Sequence, residues 1–203
     1  MKQANIFLES EGDAWYARNK DKLGQRDLVS RLIEANKIVP TNVLEIGCAN
    51  GWRLAKLRER YQCRVYGIEP SALACGDAEL LNVPVEQTTA IDLPPVMHAF
   101  DLIIYGFCLY MTDPQDWFAI VCDADRVLAN GGHIVIHDFE SSSPWARPYG
   151  HREGLLSYHV DFAKMWLANP LYHLVSRNIG DEDDMGVVTI IKKSPATSIK
   201  VHA

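Results

Sequence analysis

The feature that most constrains this chain is a strand that runs into a glycine turn and out into a helix. Val43-Leu44-Glu45-Ile46 reads as a buried strand and Gly47-Cys48-Ala49-Asn50-Gly51 as the turn. Trp52 to Tyr61 reads as an amphipathic helix with Leu54, Leu57 and Tyr61 on one face. Such a turn brings backbone N–H groups at a helix start close to whatever lies over the strand end, and glycine permits the close approach and the positive φ that it needs. An ordinary βα turn would use the same glycines. Glu45 raises the functional reading, because an acid inside a buried strand is costly unless it has a partner. Two nucleotide-binding patterns then compete. Gly-x-Gly-x-x-Gly requires glycine at 49 and 52, where the chain has Ala49 and Trp52, and an indole at the third position holds the helix away from the strand. Acid-x-Gly-x-Gly-x-Gly is filled as Glu45, Gly47, Ala49 and Gly51, with only the middle glycine replaced.

The rest of the chain alternates. Pro40 separates a helical preface, residues 1–39, from the first strand; within it Phe7 to Asn19 and Gln25 to Asn36 read as helices, the second with Leu28, Val29, Leu32 and Ile33 as its buried stripe. Arg64 to Glu69 is a second strand ending in an acid, and Pro70-Ser71 opens a helix over 72–81. A short strand at Val85 to Thr88 and a strong β run at Phe100 to Gly106 follow. Asp113 as N-cap and Pro114 at the first helical position start a helix that Asn130-Gly131 ends as a left-handed cap. Gly132 to Phe139 is the fifth strand. Strands and helices in this order imply a parallel sheet with right-handed crossovers. Leu171 to Arg177 and Met185 to Lys192, with only 178–184 between them, read as a hairpin that closes the sheet with an antiparallel edge. The expected organisation is one α/β unit: a helical cap over 1–39, a core over 40–193 carrying an insertion at 141–169, and a polar, disordered tail over 194–203.

Composition narrows the class. The formal net charge of −6 offers no basic face for duplex nucleic acid or an anionic membrane. Five separated cysteines, with no Cys-x-x-Cys pair, suggest buried thiols in a reducing compartment. With no signal peptide or spanning segment visible, the expected location is cytoplasmic.

Taken together these stretches resemble the class I methyltransferases that use S-adenosyl-L-methionine. Glu45 to Gly51 looks like motif I and Glu69 like the ribose-binding acid, about twenty residues after the turn. Phe100 to Ile104, with Leu109-Tyr110 and Asp113-Pro114, looks like motif IV, and Asp125 to His133 resembles the segment before strand five. The resemblance covers roughly residues 40–140. It implies a Rossmann-like seven-stranded sheet of order 3-2-1-4-5-7-6, the last strand antiparallel, with helices on both faces. It implies S-adenosyl-L-methionine as cofactor, met by Glu45, Gly47, Cys48, Ala49, Gly51, Glu69 and Pro70. Where family members often carry an acid for the adenine amine, this chain has Ile91 followed by Asp92; an N–H near Ala90 or Ile91 would serve the ring nitrogens while Ile91 packs on the face.

Methyl transfer from a sulfonium needs orientation and, for an oxygen or nitrogen nucleophile, a base; it implies no metal. Tyr105, Phe107, Tyr110, Trp15 and Tyr16 are the aromatic candidates for facing the cationic sulfur. His151 or Asp138 is the candidate base, with Tyr110 and Tyr158 orienting the nucleophile. The aromatic and histidine-rich segment 141–169 suits a polar small molecule, such as a sugar or related metabolite; it would equally suit a solvated lid or a contact with a second copy in a homodimer. The expected partner is a small-molecule acceptor, with no membrane and with nucleic acid disfavoured, although charge alone leaves a tRNA or protein acceptor open. Two alternatives stay open: a non-catalytic domain that binds S-adenosylmethionine, and an NAD-dependent oxidoreductase, which Ala49, Trp52 and the terminal hairpin disfavour.

Overall fold

The computed structural model describes residues 2–94, 99–180 and 186–195. Helix α1 (Gln3–Ile6), a π-helical turn (Phe7–Glu11) and α2 (Gly12–Asn19) follow one another without a break. Helix α3 (Leu28–Ala35) starts three residues later than the sequence suggests, because the Asp27 side chain accepts from Ser30 N and fixes the cap there. The core then runs β1 (Asn42–Ile46), α4 (Trp52–Tyr61), β2 (Arg64–Ile68), α5 (Ala72–Leu80), β3 (Val85–Glu86), β4 (Phe100–Gly106), α6 (Trp117–Val127) and β5 (Leu128–Asp138). It continues through β6 (Trp145–Pro148), β7 (Leu156–His159), α7 (Ala163–Leu167), β8 (Tyr172–Ile179) and β9 (Val187–Lys193).

The main sheet has the order β3-β2-β1-β4-β5-β9-β8. Strands β1 to β5 are parallel, and β9 runs antiparallel to both neighbours. Since β6 and β7 form a separate two-stranded ribbon, the seven strands of the sheet follow the expected order. Both faces are covered, so β1 is buried along its whole length. Leu44, Ile46, Ile103, Ile134 and Ile136 pack with residues of α6 and α7 on one face. Val43, Leu102, Ile104, Val135 and Ile190 pack with residues of α3 and α4 on the other. Among the described residues no helix is long and apolar enough to cross a membrane.

Three sequence expectations are corrected. Asn130-Gly131 does not cap α6, which stops at Val127. Gly131 is left-handed (φ +82), but inside β5, where the register jumps: Leu128 pairs with Phe100 and His133 with Leu102. The glycine serves an irregularity that lets the strand begin early, not a helix end. Asp113 makes no side-chain cap, because its carboxylate accepts from Gln3 N instead. The segment 141–169 contains the β6–β7 ribbon and α7, which the sequence pattern did not reveal. Part of the hairpin connection, with Met185, and the tail from residue 196 lie outside the described residues.

Candidate active site

The turn after β1 is built on left-handed backbone: Gly47 (φ +73), Ala49 (φ +49) and Gly51 (φ +70). At Gly47 the space is also closed. A Cβ there would stand 2.8 Å from Cys108 Cβ and 3.1 Å from the Gly106 carbonyl. Gly47 N and Cys48 N both donate to the Ile68 carbonyl, at 2.9 and 3.2 Å, so the turn hangs on the end of β2. The next residue along β2 is Glu69. Its Oε2 accepts from Ala49 N (2.9 Å) and its Oε1 from Ser71 N (2.9 Å), so the carboxylate is held between the glycine turn and the start of α5. It is 6% exposed, and burial pushes it up to about 7 against the opposing pull of the two amides.

Glu45 finds its partner in α4. Its Oε1 accepts from the Arg53 guanidinium, which also donates to Asp27 Oδ1 at 3.2 Å, and Lys56 Nζ reaches Asp27 Oδ2 at 2.9 Å. Burial pushes Glu45 up to about 7, with Arg53 opposing. Asp27 sits low, at about 2: its burial, which acts upward, is outweighed by Arg53 and by hydrogen bonds from Ser30 and Lys56. This network lies behind the turn. A Cβ on Gly106 would come 3.1 Å from Glu45 Oε1 and 3.2 Å from Arg53 Nη1.

In front of the turn is a cavity that encloses about 770 Å³ of empty space, counting its open mouth. Its lining brings together Gly47, Glu69, Pro70, Ala90, Ile91, Phe107, Tyr110 and Trp15 from the expected set. Glu45, Cys48, Ala49 and Gly51 do not line it; Ala49 acts on it through its N–H to Glu69, and Glu45 is held in the Arg53 network. Tyr105 is not at the cavity: it is fully buried in the core, its ring 5.4 Å from that of Trp166. Tyr16 is also withdrawn, with its hydroxyl donating to Asp77 on α5 at 2.7 Å. Phe107 has φ +51, an unusual backbone for an aromatic residue, and its ring lies 4.2 Å from His137.

The acceptor-side candidates separate. Tyr110 and His151 line a recess with Trp15, Phe139, Arg147 and Tyr149, and this recess shares Trp15 and Tyr110 with the cavity. Tyr158 packs edge-on against Trp117 and lines a different groove. Asp138 is 2% exposed. Its Oδ2 accepts from Leu109 N (2.9 Å) and Tyr110 N (3.3 Å) and its Oδ1 from Phe139 N (2.8 Å). Burial pushes it up to about 7, with those amides opposing. The carboxylate ties the end of β5 to the turn that carries Tyr110. Asp138→Asn turns one acceptor oxygen into an amide group facing N–H donors, so it is expected to lower folding stability by about 1–2 kcal/mol in urea unfolding; a change within error would show the clamp to be dispensable.

Several lining residues were not singled out in the sequence. Ala4, Phe7 and Gly12 come from the N-terminal helices, Thr88 and Thr89 from the loop after β3, and Asp116 from the 3-10 turn Pro114–Asp116; Asp113, read in the sequence as a cap and not as a lining residue, joins them. Gly12 lets α2 lie against the start of α5: a Cβ there would meet Ser71 N at 3.1 Å. Asp13 Oδ1 accepts from Ser71 Oγ (2.7 Å) and Leu73 N (3.0 Å). The available signal was the pair Asp113 and Asp116, which meets Gln3 N and Lys2. Gln3 also reaches the Met111 carbonyl and accepts from Leu156 N, so it joins the N-terminal helices to the β6–β7 ribbon.

A family model described as a methyltransferase domain matches residues 16–178, which spans the turn, the ribbon and the cavity lining apart from Ala4, Phe7, Gly12 and Trp15. The chain belongs to the methyltransferase-domain family. The 1,6-didemethyltoxoflavin-N1-methyltransferase of Burkholderia thailandensis, solved with 1,6-didemethyltoxoflavin and S-adenosylhomocysteine, is similar with a TM-score of 0.75 at 19% identity, over 94% of this chain and 89% of that one. The N-methyltransferase NodS of Bradyrhizobium japonicum WM9, in complex with S-adenosylhomocysteine, gives 0.64 at 20% identity, over 96% and 100%. At these identities the likeness is one of fold. An uncharacterized protein of Mycobacterium tuberculosis is 30% identical over 141 residues, 69% of this chain and 47% of that protein. The chain therefore spans about half the length of the curated relatives it matches.

Proposed function

We propose that this methyltransferase-domain chain binds S-adenosylmethionine in the cavity over the glycine turn and methylates a small polar acceptor. The observation that carries the reading is Glu69, a buried carboxylate at the lining of a cavity, with each oxygen already oriented by one backbone amide. A paired acceptor of this kind suits the two adjacent hydroxyls of a ribose. The rest of the lining fits the same group. Gly47 and Gly106 present bare backbone where a side chain would not fit. Pro70, Ala90 and Ile91 offer an apolar slot for a flat base, and Thr88 and Thr89 add hydroxyls.

S-adenosylmethionine supplies an electrophilic methyl group on a cationic sulfur. The protein's part is to orient, shield and deprotonate. Phe107, Tyr110 and Trp15 put aromatic faces and edges on the side of the cavity nearest the recess, where they favour a cation. The cap over 1–39 and the insertion at 141–169 form the cover. Gln3 bonds to Leu156, and the Arg18 guanidinium reaches the Tyr149 hydroxyl at 3.3 Å. Such a cover excludes water and holds the acceptor in line. Of the two candidate bases His151 is the better placed, since it is open to the recess while both oxygens of Asp138 are engaged by amides. Asp138 then acts as a positioning residue for Tyr110. The two methyltransferases of similar fold act, by their names, on small molecules or at nitrogen, which supports a small acceptor.

Calorimetry tests the reading. S-adenosylhomocysteine is expected to bind in the absence of NAD and of added metal. Silence with S-adenosylhomocysteine alongside clear heat with NAD would overturn it.

A further inference from the structure

We infer that the acceptor is a flat ring system bearing negative charge, held in the recess that adjoins the cavity; this rests on reading the cavity as the cofactor site. The recess is walled by Trp15, Tyr110, Phe139 and Tyr149, with Arg147 and His151 at its edge. Four aromatic side chains around one recess favour a planar guest, because offset and edge-on contacts between rings add to the area they bury. The wall is also stiff. Phe139 is stacked on His159 (4.9 Å, 22°), and His159 is stacked in turn on Trp145 (3.8 Å, 12°). Phe139 and Tyr110 meet edge to face at 5.1 Å. A saturated sugar offers these ring faces less flat area to stack against.

The charge balance gives the sign. Among the described residues no carboxylate lines the recess to offset a protonated amine held beside Arg147, and the nearby Glu11 and Asp138 are engaged. Glu11, whose side chain is 3% exposed, is paired with Arg18. Asp138 is buried and accepts from three backbone amides. Arg147 is exposed and, among the described residues, has no carboxylate in salt-bridge distance; its guanidinium lies 5.9 Å from the Trp145 ring. The guanidinium lies over Trp145, outside the recess wall, and brings positive charge to the side of the recess that Arg147 lines, which suits a carboxylate, or an ionised oxygen or nitrogen conjugated with the ring. The same residues work against cationic acceptors, which Arg147 repels.

The experiment is calorimetry at saturating S-adenosylhomocysteine with three probes: naphthoate, naphthylmethylammonium and glucose phosphate. Naphthoate is expected to bind at least about ten-fold more tightly than either of the others. Arg147→Gln, on an exposed ribbon and away from the cavity lining, is expected to keep S-adenosylhomocysteine affinity and to abolish the preference for naphthoate over the ammonium probe. Equal or tighter binding of the ammonium probe, a preference for glucose phosphate, no naphthoate binding, or an undiminished preference in Arg147→Gln would each overturn the inference. If S-adenosylhomocysteine itself does not bind, the cofactor reading fails, and the same titrations without it decide the recess.

Discussion

Arg53→Met is expected to lower folding stability by about 3–5 kcal/mol, the usual cost of breaking a buried ion pair by removing one partner. Arg53 holds two buried carboxylates, Glu45 and Asp27, and only Asp27 has a second cation, Lys56. Without the guanidinium, Glu45 stays inside β1 with nothing to offset its burial. The loss should depend on pH in a definite direction. Burial already pushes Glu45 up to about 7 with Arg53 opposing, so its folded value lies above its unfolded one. A group shifted this way costs nothing below the ordinary glutamate range; the cost accumulates as pH rises through that range and levels off above the folded value, which is about 7 with Arg53 in place and higher without it. The deficit of Arg53→Met should therefore be smaller near pH 5 than near pH 8, as read from urea unfolding at both. The double variant Glu45→Leu/Arg53→Met should recover much of the loss, since a buried pair replaced as a whole often costs little. A deficit that is small and independent of pH would show that the pair is not what makes Glu45 tolerable in the strand.

The same residues explain how much of the molecule was legible in the sequence. The β1 turn was, because its signals are local: an acid in an apolar strand, glycines where φ is positive, and an amphipathic helix after them. Glu69 was legible for the same reason, as a strand-end acid at a set distance from that turn. What failed were features that depend on distant contacts. Asn130-Gly131 has the form of a helix cap, yet the pairing of Leu128 with Phe100 draws the chain into β5 four residues before the expected start at Gly132. Tyr105 and Phe107 both read as aromatics at a strand end. The register puts Tyr105 beside Ile46 in the core, against Trp166, and the unusual backbone of Phe107 coincides with its place on the cavity. The β6–β7 ribbon has no period that marks it. It is ordered by stacking between Trp145 and His159 and by the bond from Leu156 to Gln3, 153 residues away. The acceptor side is assembled almost wholly from contacts of this kind. That is why local signals reached Gly47, Glu69, Pro70, Ala90 and Ile91 of the cavity lining, while of the four acceptor-side candidates only Tyr110 and His151 share the recess.

Glu69→Gln is expected to weaken S-adenosylhomocysteine binding by about 1–3 kcal/mol, the value of charge-assisted hydrogen bonds to the ribose hydroxyls. The pH profile separates this role from a purely structural one. Burial pushes the ligand-free carboxyl up to about 7, so near neutral pH a substantial part of the protein carries it protonated. Hydroxyl donors favour the ionised form, so affinity should climb as pH rises through about 7 and level off above it. Glutamine cannot ionise, and its profile should be flat across that window. Glu45 and Asp138 are pushed into the same range by burial, but neither lines the cavity, so they should not reproduce the slope in the variant. Stability moves the other way. A carboxyl raised above its unfolded value weakens the fold as pH climbs from the ordinary glutamate range to about 7, and glutamine removes that part of the dependence while leaving either Ala49 N or Ser71 N without its acceptor. Calorimetry at several pH values, with urea unfolding to confirm that the variant is folded, reads both effects. An unchanged dissociation constant in folded Glu69→Gln, or an affinity that falls as pH rises in the parent protein, would make Glu69 a brace between the glycine turn and α5 and would remove it from the ligand's contacts.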